Sequence, residues 1–193
     1  AYLATTYFLD RNTLKRNVNP LWLLEKARNK DPSLVNPFRM ALIYANGFGG
    51  HANPDKALDL LIEYASSDFP DSTNNVAWFL ATLRDNNISQ PDLAVRLAQS
   101  VVDDERFANR YSYVDTLAAA HAAKGDFDQA LQIQQKAISL ISDADLEEQD
   151  RIRDEEDFLQ RLEKYKQQQQ EFITHISVDR EDLFKRIKTD LED

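Results

Sequence analysis

Residues 114–137, VDTLAAAHAAKGDFDQALQIQQKA, decide the architecture. Side chains suited to packing return every three or four residues, first at Val114, Leu117, Ala118 and His121, then at Phe127, Ala130, Leu131, Gln134 and Ala137. That spacing is one face of an α-helix, so the stretch predicts two helices in succession. Gly125 stands where the first helix must stop. Asp126 with Gln129 three residues on has the form of a capping box for the second. A single helix pair cannot bury its own apolar face, so such pairs must stack on neighbours.

The rest of the chain supplies those neighbours. Displaced by 37 residues, Leu3, Ala4 and Tyr7 fall on Met40, Ala41 and Tyr44, and Leu23, Leu24 and Ala27 fall on Leu60, Leu61 and Tyr64. Leu80-Ala81 falls on Leu117-Ala118 in the same way, while Ala94 and Val101 fall on Ala130 and Ala137 at a displacement of 36. Four repeats follow, starting near residues 1, 34, 74 and 111 and filling residues 1–142. Asn19-Pro20 and Asn53-Pro54 each put a capping side chain before a proline at the first helical position, and Ser89-Gln90-Pro91 is similar. Ala81, Ala94, Ala118 and Ala130 are small where a leucine would hold two helix backbones apart.

On these residues the chain resembles the tetratricopeptide repeat (TPR) family. Repeat four carries Val114, Leu117-Ala118, Gly125, Ala130 and Ala137 at the family's spacing, with His121 and Gln134 where aromatics are usual. Repeat two, Met40-Ala41-x-x-Tyr44-x-x-Gly47-x-Gly49 followed by Asp55-Lys56-Ala57, resembles the Sel-one-like subfamily. Repeat three, Ala77-Trp78-Phe79-Leu80-Ala81-Thr82, resembles a variant common in bacterial members, and repeat one is degenerate. The resemblance implies an all-α, right-handed superhelical solenoid of about four helix-turn-helix repeats that binds other proteins. It also implies that the first helix of each pair lines a concave groove through its second, fifth, ninth and twelfth positions. Carried over, those positions are Val35, Phe38, Leu42 and Ala45; Asn75, Trp78, Thr82 and Asp85; and Ser112, Asp115, Ala119 and Ala122. Phe38, Leu42, Asn75, Trp78, Thr82, Asp85 and Asp115 are the candidate partner-binding residues, with Phe38 and Trp78 as aromatic anchors. The family's Lys/Arg/Asn clamp for a C-terminal carboxylate is absent at these positions.

Beyond residue 142 the period breaks. Residues 145–170 predict one long helix with a narrow apolar stripe at Leu146, Ile152, Leu159, Leu162 and Tyr165, and residues 179–191 predict a second with Leu183, Phe184, Ile187 and Leu191 on one face. Residues 143–193 therefore read as C-terminal capping helices of the same domain, the tail helix either folding back or binding in trans.

Composition removes whole classes of function. The chain has 193 residues, no cysteine and a net charge of −10. Residues 1–40 carry seven cations (Arg11, Lys15, Arg16, Lys26, Arg28, Lys30 and Arg39) against three acids, a local +4, so the remainder carries −14. That balance is wrong for a nucleic-acid binder and suits a neutral or basic protein segment. The longest apolar runs, Met40–Ala45 and Val76–Ala81, are six residues each, against the ~18–20 a membrane-spanning helix needs. His51, His121 and His175 have no neighbour at metal-ligand spacing, and no nucleophile elbow or phosphate loop occurs. Residues 47–50 are glycine-rich, yet no strand precedes them. The expectation is a protein without catalysis, cofactor or metal: an adaptor or scaffold. The alternative is a recruiting or regulatory domain of a larger enzyme or membrane-tethered protein, since the first residue is alanine. Location stays open between periplasm, which suits the absence of cysteine, and cytoplasm.

Overall fold

A computed structural model describes residues 20–47, 51–65, 69–83 and 88–171. Leu3, Ala4, Tyr7, Asp85, His175 and the tail stretch 179–191 lie outside them. The described part is all-α, with no strand among those residues. Its helices are α1 (Pro20–Lys30), α2 (Pro37–Asn46), α3 (Pro54–Ala65), α4 (Pro70–Thr82), α5 (Pro91–Val102), α6 (Tyr111–Lys124), α7 (Phe127–Ile141) and α8 (Glu148–Lys166), with a 3-10 turn at Pro32–Leu34.

Proline punctuates this order. The chain has six prolines, and each opens one of these elements, where its missing N–H is one the helix would leave unpaired anyway. Side chains cap some of the same starts: Asn36 Oδ1 accepts from the Arg39 amide at 3.1 Å, and Asn53 Oδ1 from the Lys56 amide at 3.0 Å. At the other ends, Gly47 (φ 65°) and Gly125 (φ 86°) take the left-handed conformation that closes α2 and α6. Two expectations need correction. Helix α4 starts at Pro70, earlier than the repeat spacing placed it, because Pro70 sets the first turn without a capping side chain before it. Asp126 stands at the N-cap of α7 but its side chain makes no capping bond; its carboxylate lies 3.3 Å from His121 Nδ1 instead.

The described residues fall into two compact units, one up to Glu63 and one from Tyr64. The first is built on Met40, Ala41, Ile43 and Tyr44 of α2 with Ala57, Leu60 and Leu61 of α3, all buried. In the second, each helix from α4 to α8 packs on the next in the chain, and α4 packs on α6 as well. The small residues sit where this close approach requires them: Ala81, Ala94, Ala118 and Ala130 are at most 2% exposed. Around them Val76, Leu80, Tyr113, Val114 and Ile141 complete the interior, each large aliphatic chain contributing about 1.5–3 kcal/mol by leaving water.

Candidate functional site

Helix α8 creates the most unusual feature of the second unit. Its sequence is largely polar, but Phe158, Leu162 and Tyr165, at i, i+4 and i+7, form one buried edge. Phe158 joins Val114, Ala137 and Ile141, and Tyr165 joins Ala118, Ala122 and Ala130. Of the stripe expected from sequence, Leu162 and Tyr165 are buried, whereas Ile152 and Leu159 are about half exposed, because the helix turns Phe158 rather than either of them inward.

This edge carries Arg161 onto Asp115 of α6. Arg161 Nε donates to Asp115 Oδ1 at 2.9 Å, and Gln134 Nε2 of α7 donates to the same oxygen at 2.8 Å. Asp115 is 4% exposed and Gln134 is fully buried. The Arg161 guanidinium carbon lies 4.7 Å from the Phe158 ring centre and 5.5 Å from that of Trp78 on α4. Burial pushes the Asp115 carboxyl up from its ordinary value, and Arg161 and Gln134 pull against that. Two polar atoms at the seat, Gln134 Oε1 and Tyr165 Oη, are buried without a partner.

The candidate residues separate accordingly. Trp78 and Asp115 are brought together through Arg161. Asn75 is exposed on α4 and Trp78 is half-buried. Thr82 is buried, and its hydroxyl donates to the Trp78 carbonyl at 2.7 Å. The expectation that Asp115 is a groove acid open to a partner is corrected: α8 covers it and neutralises it. Phe38 and Leu42 lie half-buried on α2, in the first unit. Arg161 itself went unnoticed in sequence, although its place between Phe158 and Leu162 puts it beside the buried edge.

A second polar cluster lies in the first unit. The Tyr44 hydroxyl donates to Glu25 Oε1, and Lys56 Nζ donates to the same oxygen at 3.2 Å and to the Tyr44 hydroxyl at 3.3 Å. The tyrosine hydrogen bond first, with Lys56 after it, holds the Glu25 carboxyl below its ordinary value. Burial, then the Glu25 carboxylate, raises the Tyr44 phenol. A cavity of about 380 Å³ opens here, lined by Glu25, Arg28, Met40, Tyr44, Lys56 and Asp59 among others. At the start of α6 the Tyr113 hydroxyl donates to Asp71 Oδ1 at 2.6 Å, and burial with that bond pushes its pKa up to about 12. No group of three histidine or acidic side chains that could hold a metal occurs among the described residues. No described helix is long and apolar enough to cross a membrane.

No family model, no curated protein and no solved structure matches the chain.

Proposed function

We propose that the chain is a protein–protein interaction module, an adaptor or scaffold without catalysis of its own, built as a right-handed tetratricopeptide-like solenoid. One observation carries this reading. The pairs α4/α5 and α6/α7 pack on each other, with alanines buried in all four helices and the first helices, α4 and α6, in contact. First helices so arranged compose one continuous face, which is the device a solenoid uses to bind an extended or helical segment.

On this reading the partner is a neutral or basic segment, drawn by the net charge of −10, and it meets Asn75 and Trp78 of α4. Phe38 and Leu42 of α2 offer a candidate surface of their own within the first unit. The test is affinity capture with the wild type and with Trp78→Ala, followed by titration of the captured partner. A half-buried tryptophan anchor predicts a weakening of roughly 30-fold, since about 1.4 kcal/mol is tenfold. Circular dichroism and melting must show the variant folded. A folded variant that binds normally removes α4 from the binding face.

A further inference from the structure

Asp115 occupies a position that faces partners if the module reading holds, and it is already filled from within the chain. A buried carboxylate lies at the bottom, with the Gln134 amide beside it and the Trp78 ring of α4 against the guanidinium of Arg161, while the second ring on that guanidinium, Phe158, comes from α8 itself. An acid with an aromatic face set for the same cation is the chemistry that recognises an arginine side chain.

Helix α8 holds this seat along one narrow edge, with the Tyr111 hydroxyl of α6 donating to its Asp154 Oδ2 at 3.0 Å. Of its 19 residues only Phe158, Leu162 and Tyr165 are buried, while Ile152 and Leu159 face outward. Gln134 Oε1 and Tyr165 Oη go unpartnered where it docks. Reversing the Gln134 amide does not mend this, because both groups facing its Nε2, Asp115 Oδ1 and the Phe158 carbonyl, are acceptors. Desolvation of the carboxylate offsets most of what the buried ion pair gains. A segment of the same pattern that supplies a donor to Gln134 Oε1, and that brings no buried hydroxyl left unpartnered as Tyr165 does, makes a better-satisfied contact than α8 does.

We propose that the face of α6 and α7 around Asp115 and Gln134 is a receptor site for an arginine-bearing helical segment of a partner protein, and that α8 is the internal stand-in which this segment displaces. The proposal rests on the module reading and adds the partner's chemistry. Its segment presents an aromatic residue three positions before the arginine, as Phe158 does, an apolar residue immediately after it, as Leu162 does, and an aromatic four positions after it, as Tyr165 does.

Hydrogen exchange of the full wild-type chain is the first test. A displaceable α8 opens while α6 and α7 stay closed, so its amides exchange at least about tenfold faster than theirs. The second test uses two synthetic peptides with the sequence of residues 148–166, one native and one carrying Arg161→Met. Both are titrated into the full chain carrying Arg161→Met, whose own α8 is weakened at the seat. The native peptide is expected to protect α6 and α7 and to bind at least about tenfold tighter than its methionine version. If that chain proves unfolded, Leu162→Ala serves as host. Exchange of α8 in step with α6 and α7 overturns the proposal, as do equal affinities of the two peptides or absence of binding by both. Any of these results leaves the Trp78 capture experiment, and with it the module reading, intact.

Discussion

Two of the three arginines of helix α8, Arg153 and Arg161, meet carboxylates at similar distances in opposite surroundings. Arg153 reaches Asp150 at 2.7 Å and Asp154 at 3.1 Å with 63% of its side chain exposed. Arg161 reaches Asp115 at 2.9 Å with its side chain 14% exposed and that of Asp115 6% exposed. Water and salt screen the first pair, so its Coulomb gain is small and breaking it leaves two well-solvated ions. The second pair was assembled against a desolvation cost, and removing one member leaves an ion with nothing to answer it. Geometry alone therefore does not rank the two contacts. Burial does.

The two members of the buried pair are also unequal. A carboxylate can take up a proton and become neutral, whereas guanidinium cannot at any working pH. Asp115→Leu, which strands Arg161 and leaves the Gln134 amide with only the longer bond to the Phe158 carbonyl, is thus the largest expected effect, about 3–5 kcal/mol of stability. Urea denaturation of the full chain measures it. A loss below about 1 kcal/mol would break the comparison, showing that Arg161 swings into water at no cost.

Ala130→Leu separates the polar seat from the packing beneath it. Ala130 is fully buried against Ala118, Ala122 and Tyr165, so room for the extra Cγ, Cδ1 and Cδ2 atoms has to be found at a close helix crossing. Overpacking there is expected to cost about 1–3 kcal/mol, with the Asp115–Arg161 contact itself untouched. An unchanged denaturation midpoint would mean that the α6–α7 crossing is looser than its alanines imply.

The two units should answer pH with opposite signs. Burial raises the Asp115 carboxyl in the folded chain, so its contribution to stability is fully present below the unfolded value near ~3.9 and is lost as pH rises through the raised folded value. Glu25 is lowered, chiefly by the Tyr44 hydroxyl, so its contribution is present above the unfolded value near ~4.3 and is lost as pH falls through the lowered one. Compared with wild type across pH 2–8, Glu25→Gln is therefore expected to be most harmful at neutral pH. Asp115→Asn is expected to be most harmful in acid and progressively better tolerated as pH rises. Parallel profiles would mean that Arg161 outweighs burial at Asp115.

What could be read in advance follows the range of the interactions. The α6–α7 hairpin was legible because its signals are local: a helical period on each side of Gly125, and a glycine able to take φ 86°. Proline at helix starts was legible at Pro20, Pro54 and Pro91, and the same rule holds at Pro37 and Pro70, where the repeat spacing drew attention elsewhere. Phe69 before Pro70 supplies no capping side chain, so nothing marked that start. Helix α8 offered two apolar phases, Ile152 with Leu159 and Phe158 with Leu162 and Tyr165, and only its packing against α7 selects the second. The Asp115–Arg161 contact joins residues 46 apart, with no pattern linking them along the chain. An acid at a groove position reads as exposed until the helix that covers it is placed.

Arg153→Gln is the smallest expected effect and the sharpest control. Arg151 and Arg153 are the only cations among nine carboxylates between Asp143 and Asp157, so losing Arg153 mainly increases the repulsion within that stretch. Repulsion between solvated charges decays over about 10 Å at 0.1 M salt and about 3 Å at 1 M. The variant's thermal midpoint should therefore match wild type at physiological salt, dip only at low salt, and recover as salt is added. Asp115→Leu should show no such recovery, because salt does not reach a pair whose side chains are this deeply buried. A deficit in Arg153→Gln that persists at 1 M salt would place Arg153 in a packed contact, and the contrast between the two arginines would then have to be rebuilt on geometry rather than burial.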